Sequence, residues 1–183
     1  MKLNIPNILT LSRLVMIPAF VGLYYAPWKW SFIAAALLFV IASLTDALDG
    51  YLARRLNQST PFGAFLDPVV DKLMVATALV VLVAELQQPL ITMAAVVMIG
   101  REIVISALRE WMAEMGKRGI VAVSWLGKFK TAAQMVAITG LIAHLNPLVD
   151  QISVYLLYIA TFLTVWSMLS YIRAAWGDLT RHG

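Results

Sequence analysis

The chain has no cysteine, two histidines and few charges: 13% of its 183 residues are Asp, Glu, Lys or Arg. Without cysteine there can be no disulfide and no thiolate metal site. His144 lies in a connector and His182 in the tail, so neither reads as a base or a ligand. Charge is too sparse for a soluble basic domain, which excludes nucleic acid as a partner despite a net charge of +4. A small-residue cleavage site followed by a polar mature domain is also missing, so the first apolar run reads as a retained helix.

What the chain has instead is apolar residues, 61% of the total, against roughly 45–50% in soluble domains. A membrane span needs about 20 mostly apolar residues. Six runs approach that length: Ile8–Tyr25, Trp30–Leu52, Val69–Leu86, Leu90–Met112, Trp125–His144 and Ile152–Ala174. With short connectors they use up residues 1–183, so the expectation is a single domain, all-α and polytopic, a bundle of six transmembrane helices. The connectors after runs one, three and five hold one basic residue, Lys29, while Lys2, Arg54, Arg55, Lys117, Arg118, Lys128, Arg173 and Arg181 fall on the other side. The positive-inside rule then puts both termini in the cytoplasm. Trp28, Trp30, Trp111 and Trp125, near run ends, read as interfacial belts.

The acids are concentrated where such a chain tolerates them least. Asp46 and Asp49 close the second run, and Asp67 and Asp71 open the third. A charge in the bilayer core costs roughly 2.5–3.5 kcal/mol on insertion scales, and four carboxylates also repel one another. Residues three or four apart share a helix face. Asp46, Asp49, Gly50 and Ala53 form one such stripe; Gly63, Asp67 and Asp71 form a second. Small residues beside the acids let a bulky ligand approach the backbone. Carboxylate oxygens suit Mg²⁺, which completes its shell with phosphate oxygens, and two ions can clamp both oxygens of a phosphoryl displacement. The bland alternative, Asp67 as a mere N-cap before Pro68, explains neither the glycines nor Arg54. Pro61 and Pro68 leave two starts open for this helix.

The pattern D-x2-D-G-x2-A-R-x8-G-x3-D-x3-D, from Asp46 to Asp71, resembles the signature of the CDP-alcohol phosphotransferases. The segments N-I-P-N-I-L-T-L-S-R, R-E-I-V-I-S-A-L-R-E-W and G-K-F-K-T-A-A-Q-M extend the likeness over nearly the whole chain. They are similar to bacterial members that use glycerol 3-phosphate as acceptor. The resemblance implies transfer of a phosphatidyl group from CDP-diacylglycerol to sn-glycerol 3-phosphate, releasing CMP, in phosphatidylglycerol and cardiolipin synthesis. It implies two divalent ions, Mg²⁺ or Mn²⁺, on Asp46, Asp49, Asp67 and Asp71, with Asp71 also the candidate base. It implies CDP-diacylglycerol contacts at Asn7, Gly50, Ala53, Arg54 and Gly63. It further implies a homodimer in the bacterial cytoplasmic membrane, among membrane lipids, with the site on the cytoplasmic side.

The acceptor is addressed by a second basic set, Arg101, Arg109, Lys128 and Lys130, whose guanidinium and ammonium groups suit a phosphate. For each there is a plainer alternative. Arg101 and Glu102 could pair with charges on neighbouring helices, Arg109 and Lys130 could serve topology, and Asn7 could only cap the first helix. The same chemistry with serine, inositol phosphate or phosphatidylglycerol as acceptor stays open. From another class, so does a cation transporter, although the acids gather at one face and not along a path.

Overall fold

The computed structural model describes the backbone of residues 5–56, 61–115 and 125–179; within these, side chains are described for 8–45, 66, 68–115, 129–173 and 176. The described residues form six helices and no strand: α1 (Ile5–Tyr24), α2 (Ser31–Leu56), α3 (Pro61–Leu86), α4 (Pro89–Glu114), α5 (Trp125–Ala143) and α6 (Pro147–Leu179). The all-α expectation therefore holds for these residues. The helices lie close to the six apolar runs, because each run is long enough to satisfy its own backbone hydrogen bonds without outside partners.

Two points that the sequence left open are decided by the helix limits. Helix α3 starts at Pro61 and carries Pro68 inside it, so Asp67 sits within the helix and is not its N-cap. Proline suits a first helical position because its missing N–H would be unsatisfied there anyway. Asn7 likewise lies within α1 and not ahead of it, which removes the capping alternative.

Short links join α1 to α2, α3 to α4 and α5 to α6, so each pair is an antiparallel hairpin. Packing then closes a ring: α1 on α2, α2 on α5, α5 on α6, α6 on α4, α4 on α3, and α3 back on α1. Helix α3 also touches α5 across the middle. Phe20, Phe39, Leu79, Leu82, Ile138 and Leu157 fill the core, with the Phe20 and Phe39 ring centres 6.2 Å apart. Hydroxyls within the bundle bond back to their own helix: Thr161 Oγ1 to the Leu157 carbonyl and Thr164 Oγ1 to that of Ala160, each 2.7 Å. That removes the cost of an unsatisfied polar group in apolar surroundings.

One end of the bundle is fastened by its turns. Helices α3 and α5 each end in a left-handed residue, Gln87 (φ 48°) and His144 (φ 43°). His144 Nδ1 lies 3.1 Å from Asp150 Oδ2, its ring meets Phe32 edge-on, and Asn146 Oδ1 accepts from the Val149 N–H at the start of α6. His144 is a structural clamp between α5 and α6.

Helices α4 and α6, over Pro89–Glu114 and Pro147–Arg173, are long and apolar enough to cross a membrane. Their apolar side chains are not used up in the core. Met93, Val96 and Ile103 on α4, and Leu148, Phe162 and Trp166 on α6, are all more than 60% exposed. Apolar surface on that scale needs apolar surroundings, and the protein is membrane-associated.

Candidate functional site

The end opposite the His144 clamp is where α2 and α4 finish, α3 and α5 begin, and the acidic motif lies. Asp46, Asp49, Gly50, Ala53 and Arg54 occupy the last turns of α2, and Gly63, Asp67 and Asp71 the first half of α3. Since 57–60 is the whole interval between these helices, the two acidic pairs are on successive elements at one end of the bundle. The side chains of Asn7, Asp46, Asp49, Gly50, Ala53, Arg54, Gly63, Asp67 and Lys128 lie outside the described residues. Of the four aspartates, Asp71 alone has a described side chain.

Asp71 lines a cavity of about 260 Å³ together with Arg101, Arg109 and Lys130. Three residues of the expected acceptor set, drawn from separate segments of the chain, thus converge with the candidate base. Helix α3 supplies Asp71 and Lys72, α4 supplies Arg101, Glu102 and Arg109, α5 supplies Lys130, Thr131 and Gln134, and α6 supplies Tyr171. Four cations face two carboxylates, so the cavity carries an excess of positive charge.

The burial of these groups matters more than their number. Lys130 is 3% exposed and the Arg101 side chain 10%. A buried cation is costly unless an anion compensates it. Arg101 pairs with Glu102, its own neighbour along α4, at 2.5 Å, and among the described residues it has no ion pair to another helix. The Arg101 Nε is buried without a hydrogen-bond partner. The Lys72 ammonium donates to Ser106 Oγ, and Ser106 donates to the Glu102 carbonyl at 2.5 Å. Arg109 is held against the ring of Tyr171, 5.9 Å from its centre. The cavity is arranged to receive an anion, and charge-assisted hydrogen bonds from guanidinium and ammonium groups fit a phosphate.

Lys72, Gln134 and Tyr171 were not singled out from the sequence. Gln134 is one turn beyond Lys130 on α5, so helical spacing could have found it. Lys72 adjoins the last motif aspartate and reads as ordinary flanking charge. Nothing in the sequence links Tyr171 to Arg109, because they meet only through the packing of α6 on α4.

Carboxylate chemistry also fits a hard divalent ion: two pairs of aspartates on consecutive helices, one member on the wall of a phosphate-sized cavity. Among the described residues no three acidic or histidine side chains gather, as three of the four aspartates are outside that set.

Comparison with known proteins agrees with this chemistry. The family model for CDP-alcohol phosphatidyltransferase matches residues 3–166. A protein of Sodalis glossinidius is 56% identical over 182 residues, spanning 100% of both chains. One of Escherichia coli K12 is 55% identical and one of Salmonella typhimurium 54% identical, each over 179 residues and 98% of both chains. All three carry the name CDP-diacylglycerol–glycerol-3-phosphate 3-phosphatidyltransferase.

Proposed function

The chain belongs to the CDP-alcohol phosphatidyltransferase family, and from that premise we propose that it transfers the phosphatidyl group of CDP-diacylglycerol to sn-glycerol 3-phosphate. The products are phosphatidylglycerophosphate and CMP. The observation that carries the acceptor is the convergence of Arg101, Arg109 and Lys130 with Asp71 on one cavity. A phosphorylated acceptor supplies the anion that these cations require. Serine brings only a carboxylate beside its own ammonium group, with less negative charge and fewer acceptor oxygens than a phosphate.

In this reading Arg109 and Lys130 bind the acceptor phosphate, and Arg101, tethered by Glu102, presents its guanidinium from the same wall. That orients the acceptor hydroxyl toward the phosphorus bearing the diacylglycerol. Asp71 lies on α3 at the same cavity and takes the hydroxyl proton as the new P–O bond forms and the bond to CMP breaks. Much of the gain comes from holding the reactants in line. Asp46, Asp49, Asp67 and Asp71 would hold two divalent ions, Mg²⁺ or Mn²⁺, whose contribution is to neutralise the charge of the diphosphate. Asn7, Gly50, Ala53, Arg54 and Gly63 belong to the CDP-diacylglycerol side of the site, where small side chains let the nucleotide approach the helix backbone.

A lipid donor and a water-soluble acceptor can meet only at a membrane surface. All six helices cross the cytoplasmic membrane in this reading, with both termini and the cavity on the cytoplasmic side, where Lys and Arg are enriched. The protein works as a homodimer, each subunit with its own site. The decisive experiment is CMP release from CDP-diacylglycerol by purified protein with Mg²⁺, one acceptor at a time. Release that depends on glycerol 3-phosphate and not on serine or inositol phosphate is expected. Equal rates with serine would remove the assignment of the acceptor, and no release with any acceptor would remove the activity.

A further inference from the structure

A buried cation shares a second space with Asp71, apart from the cationic cavity. Arg13, on α1, is 2% exposed. With Asp71 it lines a gap of about 10 Å³ where α1, α2, α3 and α5 meet. A space that small has room for a water molecule at most, so no substrate reaches Arg13 through it. Its apolar walls are Ala42, Val70 and Met74, each no more than 5% exposed. Ser43, also on the gap, gives its hydroxyl to the Phe39 carbonyl of its own helix at 2.8 Å. Among the described residues lining the gap, Asp71 is the one acid. Asp71 lines the cationic cavity as well, and Arg13 does not. Arg13 and the acceptor-binding cations thus reach Asp71 from separate spaces.

We infer that Arg13 is a positioning residue for the reaction: its guanidinium holds the Asp71 carboxylate in the orientation from which it takes the acceptor's proton. The inference rests on the proposed function, which makes Asp71 the base. A buried guanidinium needs an anion, and its planar fork matches a carboxylate at two points. Asp71 is only partly buried, and Arg101, Arg109 and Lys130 share the cationic cavity with it. A carboxylate drawn onto those cations would compete with the acceptor phosphate and turn away from the hydroxyl. A cation offered from α1, which packs directly on α3, holds it off them. Position matters here, because moving a reacting group by about 1 Å can cost about a hundredfold in rate.

The test uses the full chain in detergent with Mg²⁺. Arg13→Met removes the charge and keeps the stem, whereas Arg13→Lys keeps the charge and loses the fork. Arg13→Met should lower kcat for CMP release about ten- to a hundredfold, and Arg13→Lys should restore part of that loss. The KM for glycerol 3-phosphate and the affinity for CMP, read by calorimetry, should each change less than about threefold. Added to Asp71→Asn, Arg13→Met should lower kcat less than about twofold further, because a residue that acts through another has nothing left to act on. Should Arg13→Met not fold, Arg13→Lys carries the same comparison in both backgrounds. An acceptor KM or a CMP affinity that worsens in step with kcat overturns the inference, since Arg13 would then contact a substrate. Losses that multiply in the double variant also overturn it and make Arg13 a packing residue. Full turnover by Asp71→Asn removes the base on which the inference stands. Those results leave CMP release by the unmodified protein intact. Its absence would instead bring down the functional reading beneath.

Discussion

The Arg109 guanidinium lies 5.9 Å from the centre of the Tyr171 ring, the one reaching in from α4 and the other from α6. Both line the cationic cavity. Of Arg101, Arg109 and Lys130, Arg109 is the exposed one, so without the ring it would have more freedom to turn toward water. A cation–π contact at an exposed site is worth about 0.5–1 kcal/mol. Tyr171→Leu should therefore raise the KM for glycerol 3-phosphate about two- to fivefold, with a smaller change in the KM for CDP-diacylglycerol. Steady-state rates with each substrate varied in turn check this; equal effects on both would assign Tyr171 to general packing.

Removing the cations themselves should cost more. A hydrogen bond to a charged group contributes roughly 1.5–3 kcal/mol, so Arg109→Ala or Lys130→Ala should raise the acceptor KM about tenfold or more. Lys130 is buried and Arg109 exposed, so the Lys130 change should be the larger. An unchanged acceptor KM in both variants would leave these residues with a topological role only.

Chelation should abolish CMP release, and added Mg²⁺ or Mn²⁺ should restore it. Asp46→Ala, Asp49→Ala and Asp67→Ala should each be inactive while eluting from a sizing column like the unmodified protein. Turnover that persists in excess chelator would show that the four aspartates do not act through a metal.

Asp71 is proposed both as a ligand and as the base, and Asp71→Asn separates these roles. The amide keeps one oxygen but cannot take a proton. General-base catalysis contributes typically 10²–10⁴-fold, and a loose phosphoryl transition state asks little of a base. A loss of about a hundredfold in kcat is expected, with nucleotide affinity changed less than about threefold. CMP binding that weakens in step with the rate would make Asp71 a ligand alone.

The packing of α5 on α6 makes a separate prediction. A Cβ on Gly140 would overlap Ser153 Oγ and lie 3.1 Å from Ser153 Cβ. Overpacking of this kind costs typically 1–3 kcal/mol. Gly140→Ala should lower the thermal midpoint in detergent by several degrees, and adding Ser153→Gly should recover part of the loss. A midpoint unchanged by Gly140→Ala would mean that Ser153 turns aside without cost.

Much of this protein is legible in its residue order, because long apolar runs with few charges leave the backbone few choices. Runs of about 20 apolar residues must satisfy their backbone internally, which makes them helices, and the six helices follow the six runs. Charges inside such runs are expensive, so Asp71, Arg101, Arg109 and Lys130 stand out by their position in the chain alone. Their spacing within a helix follows from its 3.6-residue turn.

Periodicity states which residues share a face of one helix, but not which helix stands opposite. The closed order of the ring, the union of Asp71 with three cations from two other helices, the seat of Arg109 on Tyr171 and the gap shared by Arg13 and Asp71 depend on packing between elements distant in sequence. So does the start of α3 at Pro61, since a helix can run through a proline when its neighbours accommodate the lost hydrogen bond. Local chemistry, written in the sequence, determined that acids and cations would be present at one end of a helical bundle. Only the tertiary fold decided that they would face one another, because side chains on separate helices meet through the shapes that pack between them.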